Sequence, residues 1–340
     1  MKKLMTTSIF FLIIVVTVFS LSTMKSSIEK KTPRYVFLDS DFQKIKSTVS
    51  FFDEDKRLIH KNTYPVSGLE KLTYGNEKIS SLSSYQSKVI EIDMNKKYAS
   101  SNKTSRFPYP LFHWSNSENS ISIYNYDEKQ DMNYFTYEFS HHDSRNKPSI
   151  LRRIGIPFAS YVINDTLLSY TRDMDKPRNK QFNFSIIPTD LKNKIVSIPI
   201  NKPLATRIDP SYYKENYYIM TEDVKSKRNT LITVNSNSHK LSFSKLSAKD
   251  CDSFDVNEKG VSGLHFSINS ITFNQFDLKG HRLKEKRFNG ISLVKSKFMK
   301  GQPYMIYRKK DKTFFGKVNK NLKLVTIMEV HEDTNDFLVL

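Results

Sequence analysis

Two histidine-bearing clusters and a single thiol are the residues whose types could carry chemistry. His141-His142-Asp143, with His113 in a neighbouring segment, offers imidazole and carboxylate groups of the kind transition metals take. Neighbouring residues of a strand point to opposite faces, however, so His141 and His142 chelate together only where a turn bends them. No metal is assigned to them. His331-Glu332-Asp333 with Asp336 forms an acidic loop, without the ligand spacing of an EF-hand, and reads as a solvated turn. Cys251 is the only cysteine. It stands between Asp250 and Asp252, whose charges raise a thiol pKa and make it a poor nucleophile. One cysteine also excludes an internal disulfide framework and a zinc site built on several thiolates. Trp114, beside His113, reads as core. Gly-x-Ser-x-Gly, glycine-rich phosphate loops and His-Glu-x-x-His are all absent, so no cofactor is expected.

Charge is the stronger signal. The 340 residues carry 54 Lys+Arg against 35 Asp+Glu, a net +19, and 15 of the cations fall between Lys279 and Lys323 against only Glu285 and Asp311. Within that segment Arg282, Lys284 and Lys286 share one face of a strand by two-residue alternation. Arg308, Lys309, Lys310 and Lys312 fall on a hairpin turn. These seven are the candidate contacts for an anionic partner: lipid headgroups, an anionic wall polymer or an acidic protein. Lysine on an edge strand also protects against edge-to-edge pairing, which is the simpler use of the same residues.

The amino terminus suggests where such contacts occur. Lys2 and Lys3 precede an uncharged run from Leu4 to Leu21, and Ser20 and Ser22 stand before Thr23 as the small residues of a cleavage site. Residues 1–24 therefore read as a signal peptide or a single membrane anchor, with 25–34 a linker and 35–340 the folded domain. The lysines hold the start inside and send the rest to the outer face of the membrane or into secretion. Export makes nucleic acid a poor partner. The sequons at Asn102, Asn164 and Asn183 matter only in a eukaryotic secretory pathway.

The elements that must position these residues are strands. Aromatics make up 13% of the chain, whereas Ala occurs four times, so pleat-fitting side chains replace the best helix former. From Tyr35 onward apolar residues alternate in short runs separated by Asp, Asn, Lys and Gly turns. One unit reads Leu264 to Ile268, Ile271 to Phe276 and Arg282 to Phe288, and the next repeats the design through Tyr304 to Arg308, Thr313 to Val318 and Lys323 to Val330. Turns before the last strand of each unit fall at Asp53, Asp93, Asp127, Thr189, Ser236, Asp277 and Asn319. Their mean spacing of about 44 residues lies in the range of one propeller blade.

In repeat spacing and strand pattern the chain resembles the β-propeller superfamily, though no Gly-His and Trp-Asp pairing or kelch double glycine marks a particular family. The resemblance implies an all-β fold of about seven four-stranded blades, with Phe337 to Leu340 completing the first blade and removing its open edge. A pair of β-sandwiches is the structural alternative. Ring closure would bring the basic segment beside the tether. The expectation is an exported binding protein with a basic face. The alternative is an extracellular hydrolase or lyase acting on glycan or peptide, marked by carboxylates or histidines gathered in a central funnel.

Overall fold

The computed structural model describes residues 32–41, 43–126, 134–141, 147–191, 194–206, 208–223 and 226–340. The export-segment reading of residues 1–24 lies outside them. The described residues form a seven-bladed β-propeller, and no helix occurs among them.

The strands follow one another blade by blade. Blade 1 holds β1 (Tyr35–Ser40), β2 (Ser47–Phe52) and β3 (Leu58–Tyr64); blade 2 holds β4 (Thr73–Gly75), β5 (Lys78–Ser83), β6 (Lys88–Asp93) and β7 (Ala99–Thr104). Blade 3 is β8 (Pro110–Ser115), β9 (Asn119–Tyr124), β10 (Tyr134–His141) and β11 (Ser149–Ile154). Blade 4 is β12 (Ile156–Ile163), β13 (Thr166–Arg172), β14 (Phe182–Pro188) and β15 (Val196–Ile200). In blade 5 the inner position is shared by β16 (Leu204–Ala205) and β17 (Ser211–Tyr213), outside which run β18 (Asn216–Asp223), β19 (Arg228–Asn235) and β20 (Leu241–Lys249). Blade 6 is β21 (Cys251–Asn257), β22 (Gly260–Ser267), β23 (Ser270–Phe276) and β24 (Arg282–Asn289), and blade 7 is β25 (Ser292–Met299), β26 (Gln302–Lys309), β27 (Lys312–Val318) and β28 (Leu324–Val330). Finally β29 (Thr334–Val339) supplies the inner strand that blade 1 lacks.

That closure is the predicted one. β29 pairs antiparallel with β1, Val339 opposite Tyr35 and Phe337 opposite Phe37. The Leu340 N–H donates to the Arg34 carbonyl at 3.0 Å, and the Arg34 guanidinium donates to the Leu340 carbonyl.

With nine glycines in the chain, the tight turns use other residues at positive φ. Asn164 (47°) and Asp165 (54°) form a hairpin turn of the type that matches strand twist. Lys214 and Glu215 make the same turn with side chains that adopt it less readily, at 44° and 61°.

Buried apolar side chains gather between blades rather than at a common centre. Six clusters join neighbouring blades around the ring; for example Leu168 and Phe184 of blade 4 pack with Ile219 and Ile232 of blade 5, and Tyr304 and Phe315 of blade 7 pack with Phe37 of blade 1. The junction of blades 2 and 3 is different. Ser80 Oγ and Ser115 Oγ are 2.7 Å apart, Thr73 Oγ1 donates to the His113 carbonyl at 2.9 Å, and His113 Nε2 lies 3.3 Å from Glu91 Oε1. Burial pushes the Glu91 carboxyl up, but the His113 and Lys103 contacts outweigh it and hold the group well below the usual carboxylate range. A hydrogen-bonded seam thus stands where the other junctions have oil.

Gly75 makes this seam fit. A Cβ there would lie 2.1 Å from the Ser115 carbonyl oxygen and 3.0 Å from the Trp114 ring. Gly75→Ala is therefore expected to cost about 2 kcal/mol by overpacking, where an unhindered strand site would gain from the change. Denaturant midpoints measure it; an unchanged midpoint counts against the close approach.

Candidate functional site

The inner strands enclose a central tunnel, with a cavity of about 540 Å³ lined from every blade. These strands are irregular in a shared way. The β8–β9, β12–β13, β21–β22, β25–β26 and β29–β1 pairings each carry a register shift, which turns side chains off the regular alternation. In blade 5 the inner strand is interrupted outright, and Ile208, Asp209 and Pro210 between β16 and β17 line the cavity.

The lining is strongly charged. Lys71, just before β4, reaches Asp209 with its ammonium 2.5 and 2.6 Å from the two carboxylate oxygens, an ion pair that joins blade 2 to blade 5 across the ring. The same ammonium lies 5.4 Å from the centre of the Tyr161 ring. Burial, then the charges of Asp209 and Asp255, push the Tyr161 hydroxyl up to about 12. Tyr161 keeps 36% of its surface open; that surface faces the tunnel.

A second pair locks the closing blade. Lys297 of β25 donates to Asp336 Oδ2 of β29 at 2.7 Å and to the Phe337 carbonyl at 2.9 Å, and the Leu72 N–H donates to the same carboxylate oxygen at 2.6 Å. Asp336 therefore joins blades 7, 1 and 2. The side chains of Lys297 and Asp336 are only 12% and 2% exposed. Burial is the main influence that pulls the Lys297 ammonium down, with Lys295 and Lys71 adding to it against Asp336.

Between β21 and β25 lies a polar shelf. Asp252 Oδ2 accepts from the Ser296 N–H at 2.9 Å and from its hydroxyl at 2.5 Å, and Ser253 Oγ is 2.6 Å from Ser296 Oγ. Asp255 Oδ1 accepts from Ser211 Oγ at 2.9 Å. Burial raises the Asp255 carboxyl, opposed by that hydroxyl and by backbone and Asn257 contacts. The Lys295 ammonium has no ion partner or hydrogen bond among the described residues. Burial pulls its ammonium down, and the fields of Asp336, Asp252 and Asp209 outweigh that, so the net shift is upward.

The sequence-predicted residues fare unevenly. Arg282, Lys284 and Lys286 lie exposed on β24, the outermost strand of blade 6. Arg282 is engaged with Glu285 and the Ser247 carbonyl. Arg308, Lys309, Lys310 and Lys312 form the β26–β27 turn, where Arg308 donates to the Glu332 carbonyl at 3.3 Å and Lys312 pairs with Glu329 at 2.9 Å. Among the described residues, the ammonium groups of Lys284, Lys286, Lys309 and Lys310 have no ion partner or hydrogen bond. The two groups do not form one patch beside the start of the domain. β1 and β26 are equivalent strands of adjacent blades and run the same way, so Tyr35 stands at one end of the ring and the β26–β27 turn at the other. Sequence proximity suggests a place beside the start of the domain; strand direction puts the turn at the opposite end of the ring.

The metal-like clusters disperse. His113 pairs opposite Ser122 and His141 opposite Asn119, on the two sides of β9, while His142 and Asp143 lie outside the described residues. Asp336 leaves the acidic loop for the tunnel wall, and Asp333 instead holds Lys44 at 2.6 Å. No three His, Cys, Asp or Glu side chains converge among the described residues. Burial, and after it Asp252, pushes the Cys251 thiol up, so the larger cause is the fold rather than the flanking charges. Trp114 is core, as expected, and its indole N–H donates to the Tyr74 carbonyl at 3.3 Å.

Sequence reasoning allowed for a central funnel but assigned to it none of the charged residues that line it. Lys295 and Lys297 were visible among the 15 cations, and their spacing of two was the available sign that they share a face.

No protein-family model matches the chain, and no curated protein matches it in sequence. Among solved structures it is similar to a putative 6-phosphogluconolactonase from Bacteroides fragilis, with a TM-score of 0.61 at 10% identity over 92% of this chain and 99% of that one. It is also similar to AztD from Citrobacter koseri, at 0.54 and 10% over 90% and 97%. Acylaminoacyl peptidase from Pyrococcus horikoshii gives 0.58 at 8% identity, covering 87% of this chain and 51% of that one. The chain spans about half the length of the peptidase structures it matches. Likeness at such identity shows the propeller fold alone.

Proposed function

We propose that the protein is a cell-surface binding module whose exposed cations take an anionic partner, a lipid headgroup or wall polymer. The observation that carries this reading is the set Lys284, Lys286, Lys309 and Lys310, exposed and without ion partners. The Lys2-Lys3 and apolar run of the amino terminus supports an exported protein. The β26–β27 turn is the better contact, because it stands at one end of the ring and carries four cations in five residues.

Each cation near an anionic surface is worth about 1 kcal/mol. Reversing Arg308, Lys309 and Lys310 to Glu is expected to weaken co-sedimentation with phosphatidylglycerol vesicles or isolated wall polymer at least ~100-fold. Binding of the parent protein should fall as salt rises. Unchanged sedimentation after the reversal means that the charge only solubilises the fold.

The carboxylates of the tunnel favour a second reading, an extracellular hydrolase or lyase with its site there. Against it stand the engagement of Asp209, Asp252 and Asp255 in fixed contacts and the absence of histidine from the described lining. Turnover of a glycan or peptide would establish it.

A further inference from the structure

Among the described residues, seven Lys and Asp side chains gather at the inner strands, and their partners can be accounted for one by one. Lys71 is matched by Asp209, and Lys297 by Asp336. That leaves Lys295 on β25 with Asp252 and Asp255 on β21. None of these three has a counter-ion in contact, although β21 and β25 are neighbours. Enclosed charges ordinarily come with partners, since removing water from a lone ion is costly. Asp252 is instead fixed by Ser296 and Asp255 by Ser211, so both carboxylates are held in place by hydroxyls while no ammonium touches them. One ammonium and two carboxylates, none touching an opposite charge, therefore face the same chamber.

We infer that the chamber is a binding site for a small zwitterion, a free α-amino acid or the joined ends of a dipeptide. The ligand carboxylate pairs with Lys295, and the ligand ammonium pairs with Asp252 and Asp255. A ligand with both signs matches every unpaired group in the tunnel, whereas an anion or a cation alone matches only one side. Phe112, Trp114, Tyr161 and Phe254 supply an aromatic wall for the ligand side chain. The 540 Å³ cavity lies within the range of small-molecule sites. This site is independent of the outward-facing cations, and neither result decides the other.

Calorimetric titration of the full-length protein with the common L-amino acids and their glycyl dipeptides, each up to ~1 mM, tests it. At least one should bind one-to-one. Lys295→Met and Asp252→Asn should each weaken that ligand about 10- to 100-fold, the range for a lost charge-assisted contact. N-acetylation or C-amidation of the ligand should do the same. Circular dichroism reports whether each variant is folded; Lys295→Gln and Asp255→Asn replace any that is not. The inference is overturned if no zwitterion binds, if the blocked ligands bind equally well, or if the folded variants keep full affinity.

Discussion

Asp336→Ala unfolds at much lower denaturant concentration than the parent protein, with a loss of about 3–5 kcal/mol. The reason is the place of this carboxylate rather than its charge alone. It accepts from Lys297 of blade 7 and from the Leu72 N–H of blade 2 while sitting on the strand that closes blade 1. Removing it leaves an ammonium buried without its counter-ion and a backbone donor without an acceptor. Lys297→Met with Asp336→Leu should recover most of the loss, because apolar groups can replace a buried ion pair at little net cost. The double-mutant cycle then isolates the pair from the rest of the seam. A single-variant loss below about 1 kcal/mol would falsify the three-blade role.

Acid should weaken the propeller through His265 of β22, which is 5% exposed. Its Nδ1–H donates to the Lys249 carbonyl at 2.8 Å, and Nε2 is buried with no hydrogen-bond partner. Burial pulls the imidazole from 6.5 down to about 4, with Arg282 adding to this and the Lys249 carbonyl, Asp250 and Glu285 opposing. Between those two values the unfolded chain takes up a proton that the folded chain refuses. Stability is therefore free of this penalty above pH 6.5, falls as pH drops toward 4, and below that carries the full penalty, roughly 3 kcal/mol. His265→Asn keeps a donor near the Nδ1 position and cannot titrate. Unfolding free energies of both proteins, measured at steps from pH 7 to pH 4, should converge as acid is added. If the difference between them is constant with pH, the histidine is not the acid-sensitive group.

In every blade but the third the outer three strands were legible because they obey simple rules; in blade 3 the outermost strand, Ser149–Ile154, escaped the reading. Thr166–Arg172, Ser270–Phe276 and Gln302–Lys309 bury apolar residues between blades, and Asn-Asp, Asn-Ser and Lys-Gly turns respectively lead into them. Apart from those of blades 1 and 3, the inner strands were not legible. They line a polar tunnel, so their pattern carries charges where a core strand carries oil: Asp252 and Asp255 in Cys251–Asn257, Lys295 and Lys297 in Ser292–Met299. Thr73–Gly75 is too short to register, and the inner strand of blade 5 is broken around Asp209. The two exceptions, Pro110–Ser115 of blade 3 and the Phe337 strand of blade 1, carry apolar runs and were visible.

The site was hidden for a related reason. Lys71 and Asp209 are 138 positions apart, and Lys297 and Asp336 are 39 apart, so no local window contains either pair. Lys295 and Lys297 looked like part of a solvent-facing basic segment, and only the register of β25 against β26 turns them inward. Asp252 drew notice as a neighbour of a thiol and not as half of a shelf with Ser296. Ring geometry, rather than composition, gathers these groups.

The pairing of β29 with β1 also sets a timetable. Asp39 and Thr334 are 295 positions apart, and at ~5–20 residues per second the ribosome needs about 15 to 60 seconds to travel between them. Through that interval the inner edge of β1 presents unsatisfied donors and acceptors, and Val36, Leu38 and Phe37 lack their partners from the last strand. Every other blade is encoded contiguously and can form as it is made. Blade 1 alone waits for the final segment, so a nascent chain is an open arc with one adhesive edge until β29 arrives, and this is the species a chaperone has to shield.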